Sequence, residues 1–271
     1  MFRKLFGNKK QEQMIKAEEP LPFDRRADDI FLVSFPKSGN TWLRFLLGNY
    51  LTDCRMDFYN AHLFMPDIHY NPQDINAITD SPRFIKSHFP FRREYRNVIY
   101  LVRDGRETAV SYYYFLRKMK GIDENESFSG YLVNTFFAGK PPYGHWNKHV
   151  FSWVRDNKVP RLLIVRYEDL LSDTAEEFRK ILKFSGIPVE EDKLKRAVDA
   201  SSFKSMKQDE ENKSDFIEKL GFNTLKTQYG FVREGKTDSW KTTFTPQETE
   251  MFWEKYGDAS RFLKYPKGSS N

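Results

Sequence analysis

Apolar residues occur along this chain in short runs that are separated by longer segments of mixed polarity. Residues 30–35, 97–102 and 161–167 are rich in β-branched and aromatic side chains with little polar interruption, which is typical of strands covered on both faces. A shorter run at residues 83–88 is also strand-like and is closed by Pro90. The pattern therefore predicts four strands.

Segments with helical spacing of apolar residues follow these strands. The first begins after Gly39 and includes Trp42, and the second begins after Asp104 and runs through Phe115. Further helices are predicted over residues 146–157, 173–184, 190–200 and 246–256, the last of which opens on a proline. Strands that alternate with helices predict an α/β fold, with a central parallel sheet flanked by helices and ligands bound beyond the carboxyl ends of the strands.

Four segments show no regular spacing of apolar residues, and they define the predicted domain organisation. Residues 1–29 are highly charged and are predicted to form a loosely ordered leader to a single domain at residues 30–265. Residues 52–81 and the aromatic-rich insertion at 121–146 are expected to be irregular loops that select the acceptor. The polar stretch at residues 204–239 is predicted to be a mobile flap.

Composition narrows the class of protein. The 271 residues include 25 Phe and 14 Tyr, enough large rings to fill a core and to line a pocket. A net charge of +6 and a pI near 9.1 suit an anionic ligand, but they suit nucleic acid or an acidic membrane surface as well. No apolar run is long enough to span a membrane, and the single cysteine, Cys54, excludes an internal disulfide and is typical of the cytoplasm.

The turn between the first strand and the first helix has the chemistry of an anion site. Lys37 supplies a positive charge, Ser38 and Thr41 supply hydroxyl donors, and Gly39 permits a close approach of the backbone to a ligand. The helix that follows points its amino-terminal N–H groups at the same place. The loop differs from the common GxxxxGK[ST] phosphate loop, and the alternative is an ordinary strand-to-helix turn with an exposed lysine.

Four motifs in order resemble the cytosolic-type sulfotransferases, which transfer a sulfuryl group from 3′-phosphoadenosine 5′-phosphosulfate (PAPS) to a hydroxyl or amine. Residues 35–42 resemble the loop that holds the 5′-phosphosulfate, and residues 86–90 resemble the strand end with the catalytic histidine. Residues 103–111 resemble the 3′-phosphate motif, and residues 233–235 with 240–245 resemble the carboxyl-terminal nucleotide clamp. The resemblance implies a P-loop NTPase-like α/β fold, PAPS as donor, a small-molecule acceptor and no required metal.

The resemblance also assigns roles to individual residues. His88 matches the catalytic base, assisted by Lys37 and Lys86. Because side chains two apart share a face of a strand, Lys86 and His88 are expected to project together, so that the lysine steadies the sulfuryl oxygens while the histidine takes the acceptor proton. The positions that match nucleotide-binding residues are Lys37, Ser38, Gly39, Asn40, Thr41, Trp42, Arg103, Ser111, Tyr167, Ser201, Phe203, Arg233, Glu234 and Gly235.

Three positions depart from the family pattern. Asn40 stands where a threonine is usual, which is expected to be harmless if the backbone N–H is the main donor. Glu234 replaces a lysine of the clamp and removes a positive charge beside the 3′-phosphate, which is expected to weaken nucleotide affinity. Pro246 replaces the valine of the segment through which family members dimerise, so a homodimer is possible but doubtful.

Other interpretations of these residues stay open at the level of sequence. A P-loop nucleotide kinase or other phosphotransferase would need Mg²⁺ and a strand-end aspartate, and a basic nucleic-acid-binding module would need its charge in one stripe. His145 and His149 have metal-ligand spacing on a helix but no third ligand, and His62 and His69 are interpreted as ordinary loop residues. Six aromatic residues form either an acceptor pocket or core: Phe23, Phe58, Tyr59, Phe89, Tyr131 and Phe136.

Overall fold

A four-stranded parallel sheet organises the protein. The computed structural model describes residues 19–54, 56–58, 60–70, 72–212, 235 and 237–268. The strands are β1 Ile30–Ser34, β2 Phe84–Ser87, β3 Asn97–Val102 and β4 Arg161–Arg166. They pair in the order β2-β1-β3-β4, which places β1 and β3 in the centre of the sheet.

The register brings the carboxyl ends of the strands to one edge. Val33 of β1 lies opposite Ser87 of β2 and Tyr100 of β3, and Val102 at the end of β3 lies opposite Arg166 of β4. The loops after β1, β2 and β3 therefore leave the sheet side by side. This is the edge at which open parallel sheets bind ligands.

Helices and short turns connect the strands. The α-helices are α1 Asn40–Leu51, α2 Ala61–Phe64, α3 Gly105–Lys118, α4 Phe128–Tyr131, α5 Trp146–Val154, α6 Tyr167–Ser172, α7 Thr174–Phe184, α8 Glu191–Ala200, α9 Phe203–Asn212, α10 Ser239–Thr243 and α11 Pro246–Phe262. A 3₁₀-helix at Pro72–Ala77 and a π-helical turn at Leu132–Phe136 lie within the two long insertions. No helix in the described part of the chain is both long and apolar enough to span a membrane.

Two hydrophobic cores cover the two faces of the sheet. Along β1, Phe31 and Val33 belong to one core, whereas Ile30 and Leu32 belong to the other. This alternation follows from the period of two in a strand, and both sets are buried because helices pack on both faces. The first core also takes in side chains of α3, α5 and α11, and the second takes in side chains of α1, α7 and α8.

The predicted strands are confirmed within two residues at their ends, and the α/β class is confirmed. The last helix extends to Phe262, beyond the predicted end at residue 256. Its start at Pro246 is confirmed and is stabilised by a capping box, in which Thr245 and Glu248 exchange side-chain to backbone hydrogen bonds.

The structure describes part of the predicted leader and part of the predicted flap. Residues 19–29 pack on the domain, because Phe23 joins the first core and Asp29 forms a buried ion pair with Arg83 at 2.7 Å. Residues 203–212 form α9, whose Met206 belongs to the second core. Residues 213–234 and 236 of the predicted flap lie outside the described residues, as do residues 1–18 of the leader.

Candidate active site

The loop after β1 adopts a tight turn that leads into α1. Lys37 and Gly39 have positive φ angles of 71° and 100°, so two left-handed residues reverse the chain between Phe35 and Asn40. A Cβ atom on Gly39 would lie 2.6 Å from Cδ2 of Tyr167. A glycine is therefore required at this position, both for its backbone conformation and for its contact with the Tyr167 ring.

Polar side chains in this loop are buried and only partly satisfied. Asn40 donates from Nδ2 to the Leu32 carbonyl at 3.0 Å, which fastens the start of α1 to β1. Its Oδ1 and the Oγ of Ser38 are buried and have no hydrogen-bond partner among the described residues. Buried polar atoms are normally hydrogen-bonded, so these two atoms are consistent with a site that a polar ligand completes.

Lys37 lies in an electropositive environment. Its Nζ is 4.4 Å from the centre of the Phe115 ring. Burial, which has the largest effect, and the positive charges of Lys118, Arg103 and Lys86 together lower the pKa of Lys37 to about 7, against an opposing effect of Glu210. A cation held among other cations is favourable only when an anion is present, which makes this point the strongest candidate for a phosphate or sulfate group.

Lys86 and His88 project at the end of β2, as predicted from their spacing. The Nζ of Lys86 lies 2.5 Å from Oδ2 of Asp67, in a largely buried ion pair. Nδ1 of His88 lies 2.7 Å from the carbonyl oxygen of Ser34. A carbonyl only accepts, so Nδ1 of His88 holds a proton and the lone pair of the neutral ring is on Nε2.

A second histidine, His69, supports the first. Its Nε2 accepts a hydrogen bond from the backbone N–H of His88 at 2.8 Å, and the two rings are nearly parallel with centroids 5.9 Å apart. Burial lowers the pKa of His88 well below its usual value, and the charge of Lys86 contributes to that effect. His88 is therefore neutral at neutral pH, which is the protonation state that a base requires.

His149 holds the main chain of His88 from the other side. Its Nε2 lies 3.1 Å from the His88 carbonyl oxygen, and its Nδ1 lies 2.9 Å from the hydroxyl of Tyr100. His145 instead contacts the Tyr256 hydroxyl from its Nδ1. Within the described ranges, no group of three or more His, Cys, Asp or Glu side chains is arranged to hold a metal ion.

Aromatic rings lie beside the phosphate-type loop. Trp42 is edge-on to Tyr167 with centroids 5.6 Å apart and lies 5.3 Å from the Phe203 ring. The indole N–H of Trp42 donates to the carbonyl of Ser201 at 3.0 Å, which fixes the ring on α1 against the end of α8. Gly235 passes over Phe203 so closely that a Cβ atom would lie 2.5 Å from that ring.

Arg103 is placed at the end of β3 by two neighbours. Its guanidinium lies 4.3 Å from the centre of the Tyr167 ring, and its Nη2 donates to Oε2 of Glu107 at 3.1 Å. The other oxygen of Glu107 accepts from the backbone N–H of Trp240 at 2.8 Å. The fully buried Glu107 thus joins the predicted 3′-phosphate motif to Trp240 of the predicted clamp.

The structure brings most of the predicted site residues to one region. Thr41 and Ser111 are half-buried on α1 and α3, next to Trp42 and in the helix that begins beyond Arg103. Arg233 and Glu234 lie outside the described residues, so their predicted contacts stay predictions. The described part of the chain thus places the phosphate-type loop, the β2 end and the β3 end together, with Gly235 at Phe203.

Three residues of the site were missed from sequence. Asp67, which pairs with Lys86, lies in the segment interpreted as loop, and His69 was interpreted as an ordinary loop residue, which is wrong because it is buried against His88. Glu107 lies within the predicted 3′-phosphate motif but was given no role of its own. The single local signal was the Asp-Ile-His sequence at residues 67–69, which places two chemically active side chains two positions apart.

Acid is expected to destabilise the fold through the buried histidines. Burial lowers the pKa of His69 and of His149 to about 4, whereas an unfolded histidine titrates near 6.5. The contribution of these neutral histidines to the free energy of unfolding is therefore complete above about pH 6.5. As the pH falls toward 4, that contribution is lost, by up to about 3 kcal/mol for each residue.

Urea unfolding between pH 7 and pH 4.5 measures this effect. His149→Gln removes one titrating group. The free energy of unfolding should therefore depend less steeply on pH in this variant, by about 1.4 kcal/mol per pH unit. A wild-type stability that does not change between pH 6.5 and 4.5 contradicts the expectation.

Comparison with known proteins places this site in a family. A family model described as "Sulfotransferase domain" matches residues 27–262. Human sulfotransferase 1E1 is 32% identical over 86% of this chain and 84% of its own length, and mouse sulfotransferase 1B1 is 31% identical over 85% and 82%. The chain belongs to the sulfotransferase family and is an enzyme of that class.

Solved structures support the fold. Retinol dehydratase in complex with androsterone and the inactive cofactor PAP superposes with a TM-score of 0.73 at 20% identity, covering 90% of this chain and 84% of that one. Mouse sulfotransferase SULT7A1 complexed with PAP gives a TM-score of 0.68 at 24% identity, covering 89% and 87%. The family match favours the predicted sulfotransferase over the phosphotransferase alternative.

Proposed function

We propose that this sulfotransferase transfers a sulfuryl group from PAPS to a hydroxyl or amine of a small-molecule acceptor, at the carboxyl ends of β1, β2 and β3. The observation that carries the proposal is the group of cations around Lys37, which includes Lys86 and Arg103 from two other strand ends. Such a group matches a ligand with two separated anionic centres. The two similar solved structures that contain PAP support PAPS as the donor.

The nucleotide is proposed to lie across the loop after β1 and the start of α3. The 5′-phosphosulfate is proposed to contact the loop amides, Lys37 and Ser38, because the first N–H groups of a helix such as α1 have no acceptor within the helix. The 3′-phosphate is proposed to contact Arg103 and Ser111, and the proposed clamp consists of Arg233, Glu234 and Gly235. The adenosine is proposed to contact Ser201 and the rings of Trp42, Tyr167 and Phe203, of which Trp42 lies close to both of the others.

The proposed chemistry requires charge stabilisation and one proton transfer. The acceptor oxygen attacks sulfur in line while the bond between sulfur and the 5′-phosphate oxygen breaks, which releases 3′,5′-ADP. Nε2 of His88 takes the acceptor proton because Nδ1 of that ring already holds one against the Ser34 carbonyl. Lys86 stabilises the sulfuryl oxygens, and Lys37 stabilises the charge on the leaving phosphate.

The finer parts of the proposal rest on the same family. The acceptor is selected by the loops at residues 52–81 and 121–146, whose His69 and Tyr143 rings lie beside His88. The protein acts in the cytoplasm on small molecules and not on nucleic acid, and Pro246 weakens a homodimer of the usual family type. The segment at residues 204–239 covers the nucleotide, with α9 as its described part.

The test is turnover with sulfur-labelled PAPS and a panel of phenols, alcohols, sugars and amines. The expected result is a labelled product together with 3′,5′-ADP, at a rate that EDTA does not change. Dependence on Mg²⁺, or transfer of phosphate from ATP, would support a phosphotransferase instead. Protein that binds 3′,5′-ADP and yet sulfates none of the panel would contradict the proposed acceptor class.

A further inference from the structure

A short segment outside the predicted motifs pairs with the end of β2. Residues 66–69, here called the brace segment, run parallel to β2 beside Lys86. The backbone N–H of Lys86 donates to the Pro66 carbonyl at 2.9 Å, and the N–H of Ile68 donates to the Lys86 carbonyl at 3.1 Å. The brace segment therefore extends the sheet by one residue pair at the position of Lys86.

The side chains of the brace segment reach both members of the Lys86 and His88 pair. Asp67 contacts the Lys86 ammonium through Oδ2 at 2.5 Å, and its Oδ1 accepts the backbone N–H of His69 at 2.9 Å. His69 in turn accepts the backbone N–H of His88 at 2.8 Å. One carboxylate is thus connected to the side chain of Lys86 directly and to the main chain of His88 through a single residue.

The negative charge of the buried Asp67 carboxylate depends on the positive charge of Lys86. Asp67 is 5% exposed, and burying a lone carboxylate is costly. Burial is the largest single effect and opposes its ionisation, but the charge and hydrogen bond of Lys86 together with His69 and His88 outweigh burial, so the pKa of Asp67 lies well below its usual range. Burial lowers the pKa of Lys86, and Asp67 opposes that effect.

Resting on the proposed function, we propose that Asp67 is a positioning residue for sulfuryl transfer: its carboxylate fixes the Lys86 ammonium beside His88 and keeps it protonated. An isolated ammonium in this place has Arg44 of α1 and Lys37 of the neighbouring loop as like charges. Asp67 is the counter-charge within contact distance of Lys86 in the described part of the chain. The titratable and charged groups around this ion pair are Arg44, Lys37, His69, His88, Tyr70, Tyr95 and Tyr143.

The charge-neutral variant Asp67→Asn tests the proposal, because an asparagine keeps the acceptor for the His69 N–H. Without the carboxylate, Lys86 loses its proton at lower pH, so the alkaline limb of kcat/KM should move toward neutral pH. At a pH on the alkaline limb, kcat/KM is compared with the maximum kcat/KM of the same protein. This ratio should be about tenfold lower in Asp67→Asn than in the wild type. The acid limb should also move to lower pH, since Asp67 raises the pKa of His88.

The double variant Asp67→Asn/Lys86→Met tests whether Asp67 acts through Lys86. It removes both buried charges, which is far better tolerated than removing one, and it should turn over as slowly as Lys86→Met with no further loss. A further loss of more than about threefold overturns the proposal, because Asp67 would then act independently of Lys86. This comparison decides the question even if Asp67→Asn alone does not fold.

The outcomes separate this proposal from the proposed function. Wild-type turnover by Lys86→Met would mean that the function assigned to Lys86 is wrong. Loss of turnover in Lys86→Met, together with an unchanged pH profile in Asp67→Asn, would overturn the role of Asp67 alone. Asp258→Asn is the matched control, because it breaks an exposed ion pair with Arg261 on α11 and should change neither limb.

Discussion

His88→Asn is expected to lower kcat by about 10²–10⁴-fold and to leave the affinity for 3′,5′-ADP nearly unchanged. The amide of the asparagine still hydrogen-bonds the Ser34 carbonyl, so the variant removes the base at Nε2 without opening the contact at Nδ1. A hydroxyl that attacks sulfur must lose its proton near the transition state, whereas the nucleotide contacts the opposite side of the reacting sulfur. The loss is therefore expected in kcat and not in nucleotide binding.

Steady-state kinetics with an alcohol acceptor and calorimetry with 3′,5′-ADP measure the two quantities. Asp258→Asn is again the control, since Asp258 is exposed on α11 and lies outside the proposed donor and acceptor sites. Wild-type turnover by His88→Asn would exclude His88 as the base. A large loss of nucleotide affinity in the same variant would mean that His88 shapes the donor site instead.

The pH dependence of the wild-type rate follows from the burial of His88. Because burial and Lys86 both lower the pKa of the imidazole, the rate should not decrease as the pH falls through 6.5, where an ordinary histidine titrates. The decrease should come only at more acidic pH, and His88→Asn should lack it. An inflection near 6.5 that the variant retains would point to another group.

The sheet was predictable from sequence because its strands are buried on both faces. Continuous apolar runs such as residues 97–102 have one interpretation when no polar face is needed, and the structure confirms that strand residue for residue. The end of α11 was less predictable, since Gly257 and the polar residues after it interrupt the apolar period. In the structure Gly257 is buried, and Ala259 belongs to the first core, so tertiary packing continues the helix to Phe262.

The site was predictable where its residues are adjacent in sequence and not where they meet only in the fold. Lys37 and His88 lie in contiguous motifs, so their type and spacing were enough. Asp67 meets Lys86 across 19 residues, and Glu107 meets Trp240 across 133 residues. A carboxylate that neutralises a distant cation has no period and no fixed spacing, and only the three-dimensional structure identifies it.

Lys37→Met is expected to abolish a pH dependence of nucleotide binding that the wild type should show. The pKa of Lys37 is lowered to about 7 by burial and then by the charges of Lys118, Arg103 and Lys86. A bound phosphate is an opposite charge and raises that pKa, so binding above pH 7 takes up a proton. The affinity for 3′,5′-ADP should therefore decrease by about tenfold per pH unit as the pH rises above 7.

In Lys37→Met the charge is absent at every pH, and the affinity should be lower by about 10–150-fold at pH 7 and independent of the titration of this group. Turnover should also fall by about 10²–10³-fold, because the lysine faces the charge that develops on the leaving phosphate.

Calorimetry in two buffers of different ionisation enthalpy measures the proton uptake directly. Lys37→Arg keeps the charge and should bind without the pH dependence, since a guanidinium does not titrate in this range. Lys195→Met, on the exposed face of α8, is the matched control, and proton uptake that persists in Lys37→Met would assign it to a different group.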